Sequence, residues 1–181
     1  MLQDWPIYLA LFLALWSAVI GGVFSAFSEF IMAALLRTHS DGGIEAMQQI
    51  NRTVIKTQFV AGILAIAVLS IAVAVYGHYA FEGTAKGTLL VAAIVYIPSV
   101  FLMTIVGNVP MNNRLESLDR TSEEARVYWP VYGRVWTRLD HVRSLGSVAA
   151  SEIYLVAAVQ LTSTWQTIFA LRLQIFTPSA T

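Results

Sequence analysis

Long apolar runs separated by short polar stretches set the pattern of this chain. Ile7 to Leu36 carries one charge, Glu29; Phe59 to Gly77 and Gly87 to Gly107 carry none; Ser144 to Leu171 carries only Glu152. A helix needs about 20 apolar residues to cross the hydrocarbon of a bilayer, and each run suffices. Backbone groups in lipid must be satisfied within their own segment, so the runs predict helices. The expected fold is all-α: an integral membrane four-helix bundle with cytoplasmic helical extensions. It forms a single domain over residues 1–181, with spans near 7–36, 57–77, 87–107 and 144–171.

The basic residues give the bundle a direction. No Lys or Arg precedes the first span, so a retained helix is expected there rather than a cleaved leader. Arg37, Arg52 and Lys56 lie in the first loop, Lys86 alone in the second, and Arg114, Arg120, Arg126, Arg134, Arg138 and Arg143 in the third. The positive-inside rule then predicts a multi-pass cell-membrane protein with the first and third loops in the cytoplasm and both termini outside. Asp41 or Gly42 is expected to cap a helix from near Ile44 that runs on into the second span. Pro98 is expected to kink the third span and Pro110 to end it. Pro130 marks the expected first turn of a long helix leading into the fourth span.

Composition agrees: 57% of residues are apolar and 12% charged, far from the quarter or so charged in soluble domains. A formal net charge of zero offers no footprint for nucleic acid. The absence of cysteine excludes thiol chemistry, disulfides and iron–sulfur clusters.

Polar side chains inside a membrane must face protein or water. Gly22, Ser25, Glu29 and Met32 fall on one expected face of the first helix. Gln48, Asn51, Ile55, Gln58 and Gly62 form a similar stripe before and within the second; Asn108, Asn112 and Asn113 cluster at the end of the third. On the fourth, Trp136, Asp140, Arg143 and Ser147 share a face, with His141, Val148 and Glu152 on an adjacent one. By helical rise, Glu29 and Glu152 each lie roughly 10 Å inside their spans, predicting two carboxylates at one level. The sum is an expected polar pocket opening toward the cytoplasm. Plainer readings compete. Gly21, Gly22 and Gly62 serve as helix-packing points, Gln48 and Asn51 as surface amides, Arg143 as a headgroup marker, and Trp129, Tyr132 and Trp136 as an interfacial belt.

No metal site is expected. His141 and Glu152 stand 11 residues apart on one helix, roughly 16 Å by rise. The paired Glu-x-x-His pattern of di-iron bundles is missing. Phosphate loops, nucleophile elbows and dinucleotide fingerprints are missing too.

Four blocks carry a resemblance: Gly21 through Leu35, Gly43 through Asn51, Gly107-Asn108-Val109-Pro110-Met111-Asn112-Asn113-Arg114-Leu115, and Trp129 through Arg143 with Tyr132, Trp136 and His141-Val142-Arg143. Together they resemble the anthrone oxygenase-like family of small four-helix membrane proteins, most of whose bacterial members have no assigned function. The chain departs from the pattern at Leu139-Asp140, where the family usually has Trp-Asn, and in its acidic Glu29 and Glu152. The resemblance implies oxidation of an aromatic, anthrone- or quinone-like molecule by O2 without a cofactor. It implies His141 as base beside Asp140, Arg143 as stabiliser of negative charge, and Asn108, Asn112, Gln48 and Asn51 as donors to an enolate. Trp136 would stack on the substrate. The polar stripes add Ser25, Glu29, Gln58 and Glu152 as further expected lining. The competing expectation is a non-catalytic subunit of a larger membrane complex, or a lipid-, quinone- or pigment-binding protein, with self-association open to either. A transporter fits less well, because four helices carry so few intramembrane charges.

Overall fold

In the computed structural model the backbone is described over residues 4–176 and side chains over residues 4–163. All regular structure in the described chain is helical. Helix α1 spans Trp5–Arg37, α3 Gln58–Ala80 and α4 Ala85–Glu116; α2 spans Ser40–Val54 and α5 Glu123–Phe176. Helices α1, α3, α4 and α5 (the last through Ser163) are each long and apolar enough to cross a membrane. The molecule is a membrane helical bundle with α2 packed across one end. The far end of the expected fourth span, including Leu171 and Arg172, lies outside the described side chains.

One core fills the bundle between α1, α3, α4 and α5, with Leu13, Ile20, Ile66, Leu89, Tyr96 and Tyr154 fully enclosed. Small side chains bring the helices together. Gly146 on α5 lies against Ser99 of α4, and Gly62 of α3 lies under the Trp16 indole, so neither site has room for a methyl group. Ser151 Oγ donates to the Ala14 carbonyl at 2.8 Å, stitching α5 to α1. At the opposite end from α2, Gly83 turns the chain between α3 and α4 with φ +73°, a conformation that glycine adopts without steric cost. A second core joins α2 to the bundle: Met32, Ile44, Met47, Leu115, Tyr128, Trp129, Tyr132 and Trp136.

Several boundaries differ from expectation. The helix after the first loop begins at Ser40 with His39 as its cap, and does not run into the second span. It stops at Val54, and Thr57 is extended before α3 begins. The β-branched run Thr53-Val54-Ile55 weakens the helix there. The Thr53 and Thr57 hydroxyls donate to the carbonyls of Gln49 at 2.8 Å and Val54 at 2.7 Å, giving the backbone other partners. Pro110 does not end the third span; it sits in the first turn of the α-helical segment Val109–Glu116, which follows the π-helical segment Thr104–Asn108 directly. Pro98 lies at the start of another π segment, Ile97–Leu102, where the wider turn absorbs its missing N–H. Pro130 lies inside α5, which begins seven residues earlier at Glu123.

Candidate functional site

A cavity of about 450 Å³ opens at the α2 end of the bundle, between α1, α2, α3, α4 and α5. That volume is in the range of small-molecule sites. Its walls are mostly apolar, with Phe24 and Phe27 from α1, Phe59 and Ile63 from α3, and Phe101 from α4. The polar lining is sparse: Asn51 and Arg52 from α2, Arg143 from α5, and Thr104, Asn108, Asn112, Asn113 and Glu116 along α4. Thr104, Asn108, Asn112 and Glu116 recur every fourth residue, so they run down one face of α4. That spacing is the signal by which Thr104 and Glu116 could have been found from sequence.

Arg143 is the buried charge of the lining. It is 5% exposed and paired with Asp140, which is fully buried behind it. Its guanidinium carbon lies 4.1 Å from the Phe24 ring centroid and 5.4 Å from that of Trp136, within cation–π range. Nη1 also approaches the Thr104 hydroxyl at 3.4 Å. Asp140 itself does not line the cavity. It anchors the cation, three residues back on the same helix.

The amides build the neighbouring wall. Asn112 Oδ1 accepts from the Tyr132 hydroxyl at 2.9 Å and from Trp136 Nε1 at 2.8 Å. Asn108, 1% exposed, donates through Nδ2 to the Trp136 carbonyl at 3.3 Å. Asn112 thereby holds the Trp136 indole and Asn108 the backbone beneath it, and Phe27 meets the ring edge-on with ring centroids 6.0 Å apart. Trp129, Tyr132 and Trp136 are buried in succession along α5, with stacked rings 5.7 and 6.2 Å apart. They form an interior wall rather than an interfacial belt.

Of the expected site residues, Asn51, Asn108, Asn112, Trp136 and Arg143 come together around this cavity. Gln48 is buried beside it and acts as a strut, donating to the carbonyls of Leu115 at 2.9 Å and Leu118 at 3.0 Å. Ser25 is half-buried and does not line it. Glu29, Gln58, His141 and Glu152 are exposed on the outside of the chain. Each has a geometric reason. Glu29 shares the outer side of α1 with Gly22, which is also exposed; the buried face runs one residue earlier, through Gly21, Phe24, Ser28 and Met32. Gln58 follows the break between α2 and α3, which resets the helical phase. His141 is one residue past Asp140, about 100° around α5, and Glu152 continues that outer face. The two glutamates are not level either. Ser151 pairs with Ala14, and Glu29 is 15 residues further along α1, about 22 Å.

Arg52 and Glu116 close the cavity toward the loops: Arg52 Nε and Nη2 both meet Glu116 Oε1 at 2.6 Å. Among the described residues, no group of three His, Cys, Asp or Glu side chains is gathered as metal ligands are.

A mostly apolar, aromatic-walled chamber with one buried guanidinium and a row of amides can hold a flat ring system and neutralise charge on its oxygen. The family model for anthrone oxygenase matches residues 51–153, and the chain belongs to that family. The match takes in all of α3 and α4 and the part of α5 that carries Trp136, Asp140 and Arg143, while the Gly21–Leu35 block precedes it. No curated protein and no solved structure matched the chain.

Proposed function

We propose that this protein is a membrane oxidoreductase that uses O2 to oxidise a flat aromatic of the anthrone or quinol kind within the cavity at the α2 end. The observation that carries this reading is Arg143, buried in an apolar, aromatic chamber with Asp140 behind it and amides beside it. The family membership agrees with it.

The chemistry asks little of the protein. An anthrone methylene lies between two aryl rings, and loss of its proton gives a delocalised enolate. Arg143 lies beside Thr104, away from the loop end of the chamber, to stabilise the developing oxyanion, with the Asn108 amide one turn along α4. Glu116, the sole carboxylate among the lining residues, is paired with Arg52 and lies 12 residues along α4 from Thr104. That is about 18 Å by rise, too far to meet the methylene of a ring whose oxygen Arg143 holds; in this scheme the proton is lost to solvent. The enolate carbon then passes electrons to O2 and forms a C–O bond, giving a hydroperoxide. Loss of water across that carbon leaves the second carbonyl, so CH2 plus O2 becomes C=O plus H2O. In this scheme Trp136 and Phe27 hold the ring plane, and Asp140 is a positioning residue for Arg143. His141, on the outer face, has no part in it.

The orientation belongs to the same proposal. The α2 end faces the cytoplasm and both termini lie outside, as the basic residues of the two turns at that end favour. A second reading, as a subunit of a membrane complex, is favoured by Glu152, which stands exposed on an otherwise apolar face of α5. Purification separates the two. The lone protein in lipid nanodiscs should consume one O2 per anthrone oxidised, and Trp136→Ala should raise KM more than it lowers kcat. Failure of the wild type to consume O2 with anthrones and hydroquinones, together with co-purification of another chain, would favour the subunit.

A further inference from the structure

We infer that the cavity is reached sideways from the bilayer, through a gap between the first turns of α3 and the last turns of α4, and so takes lipid-dissolved aromatics. The inference rests on the reading of the cavity as a ligand site, not on the oxidation. Helix α3 packs against the first half of α4, through Tyr96 and the π segment that follows. It makes no comparable packing with Thr104–Asn108 or Val109–Glu116. Where they part, Val60 and Leu64 on α3 and Ile105 and Val109 on α4 line the cavity and are also exposed on the outside, Leu64 at 53% and Ile105 at 47%. These are apolar residues within spans, so their outer surface is suited to hydrocarbon. Leu64 lies six residues into α3, about 9 Å from its end by rise. The gap is therefore in the leaflet on the α2 side.

The aqueous route is bridged. Arg52 and Glu116 join α2 to α4 across the loop end of the cavity, and Gln48 ties α2 to the carbonyls that end α4. A planar, uncharged aromatic concentrated in the membrane thus meets an apolar opening, while a water-soluble one meets an ion pair. Dissolved O2, which also concentrates in hydrocarbon, shares the apolar route.

The chain contains no cysteine, so one nitroxide can be placed in the cavity by labelling Phe101→Cys in nanodiscs. Its relaxation by O2 should exceed its relaxation by a water-soluble nickel chelate; a nickel effect equal to or above that of O2 would overturn the proposal. Association of anthraquinone from vesicles gives a second readout. Leu64→Trp with Ile105→Trp should slow association about tenfold; association as fast as in the wild type would overturn the proposal. Anthraquinone disulfonate, confined to water, should associate far more slowly with the wild type; association as fast as anthraquinone would overturn the proposal. If anthraquinone does not bind at all, the ligand reading fails, and the nitroxide comparison still decides the route.

Discussion

The guanidinium of Arg143 lies over the ring of Phe24 at 4.1 Å, so a cation from α5 is presented inside an otherwise apolar chamber by an aromatic from α1. Removing that cation removes the oxyanion partner. Arg143→Gln should lower kcat about 100-fold, the scale of losing an oxyanion donor. Arg143→Lys keeps the charge but not the planar contact with Phe24 and Trp136, and should fall between. Steady-state O2 uptake with a saturating anthrone checks both.

Asp140 serves that cation and should be read through stability as well as rate. Asp140→Leu leaves a buried guanidinium unpaired and should destabilise the fold by about 3–5 kcal/mol. Asp140→Leu combined with Arg143→Leu should recover most of that loss while remaining inactive. Unfolding by denaturant in mixed micelles, with activity measured in parallel, separates the two effects.

Asn112 holds two ring donors with one oxygen. Asn112→Leu would leave the Trp136 N–H without an acceptor and take one partner from the Tyr132 hydroxyl, which also has Asn51 beside it, and should cost about 1–3 kcal/mol. Trp136 would also lose its fixed plane, so KM should rise with the stability loss. Thermal unfolding and a substrate titration on the same preparation test this.

His141→Ala should retain activity within about twofold of wild type, because its side chain projects from the outer face of α5. Loss of activity in a folded His141→Ala protein would return the base to that residue.

In the turn between α4 and α5, the Asp119 carboxylate accepts the Thr121 N–H at 2.9 Å and its hydroxyl at 2.8 Å. These bonds hold its pKa below the usual carboxylate range, with the neighbouring Arg120 contributing less. A depressed folded pKa means the turn gains stability above the unfolded carboxyl pKa and loses it as pH falls through the folded one. The protection of the Thr121 amide, its exchange rate taken relative to the intrinsic rate at each pH, should therefore fall on acidification, and Asp119→Asn should reduce that pH dependence.

Much of this was legible in the residues because lipid is a strict solvent. The four apolar runs can do little but span. The amides Asn51, Asn108 and Asn112, with Trp136 and Arg143, gather at one end because intramembrane polar groups need each other. Phase was the part that periodicity could not supply. On α1 the buried face runs through Gly21, Phe24, Ser28 and Met32, one residue out of phase with the stripe of Gly22, Ser25 and Glu29. An unbroken helix from Ile44 places Gln58 with Asn51, and the threonine-rich break at Thr53–Thr57 undoes that. The buried face of α5 runs through Trp136, Asp140, Arg143 and Ser147, as the spacing predicts, and on to Ser151; His141, which only the resemblance brings to the site, lies on the adjacent face, and that face is exposed.

Binding of an anthrone to the purified protein without oxygen, followed by absorbance, tests the anion-stabilising role of Arg143 most directly. The account predicts the long-wavelength band of the delocalised enolate in the wild type, its absence in Arg143→Gln, and its decay to quinone when air is admitted. A bound anthrone that stays neutral in the wild type, or an enolate band undiminished in Arg143→Gln, would contradict it.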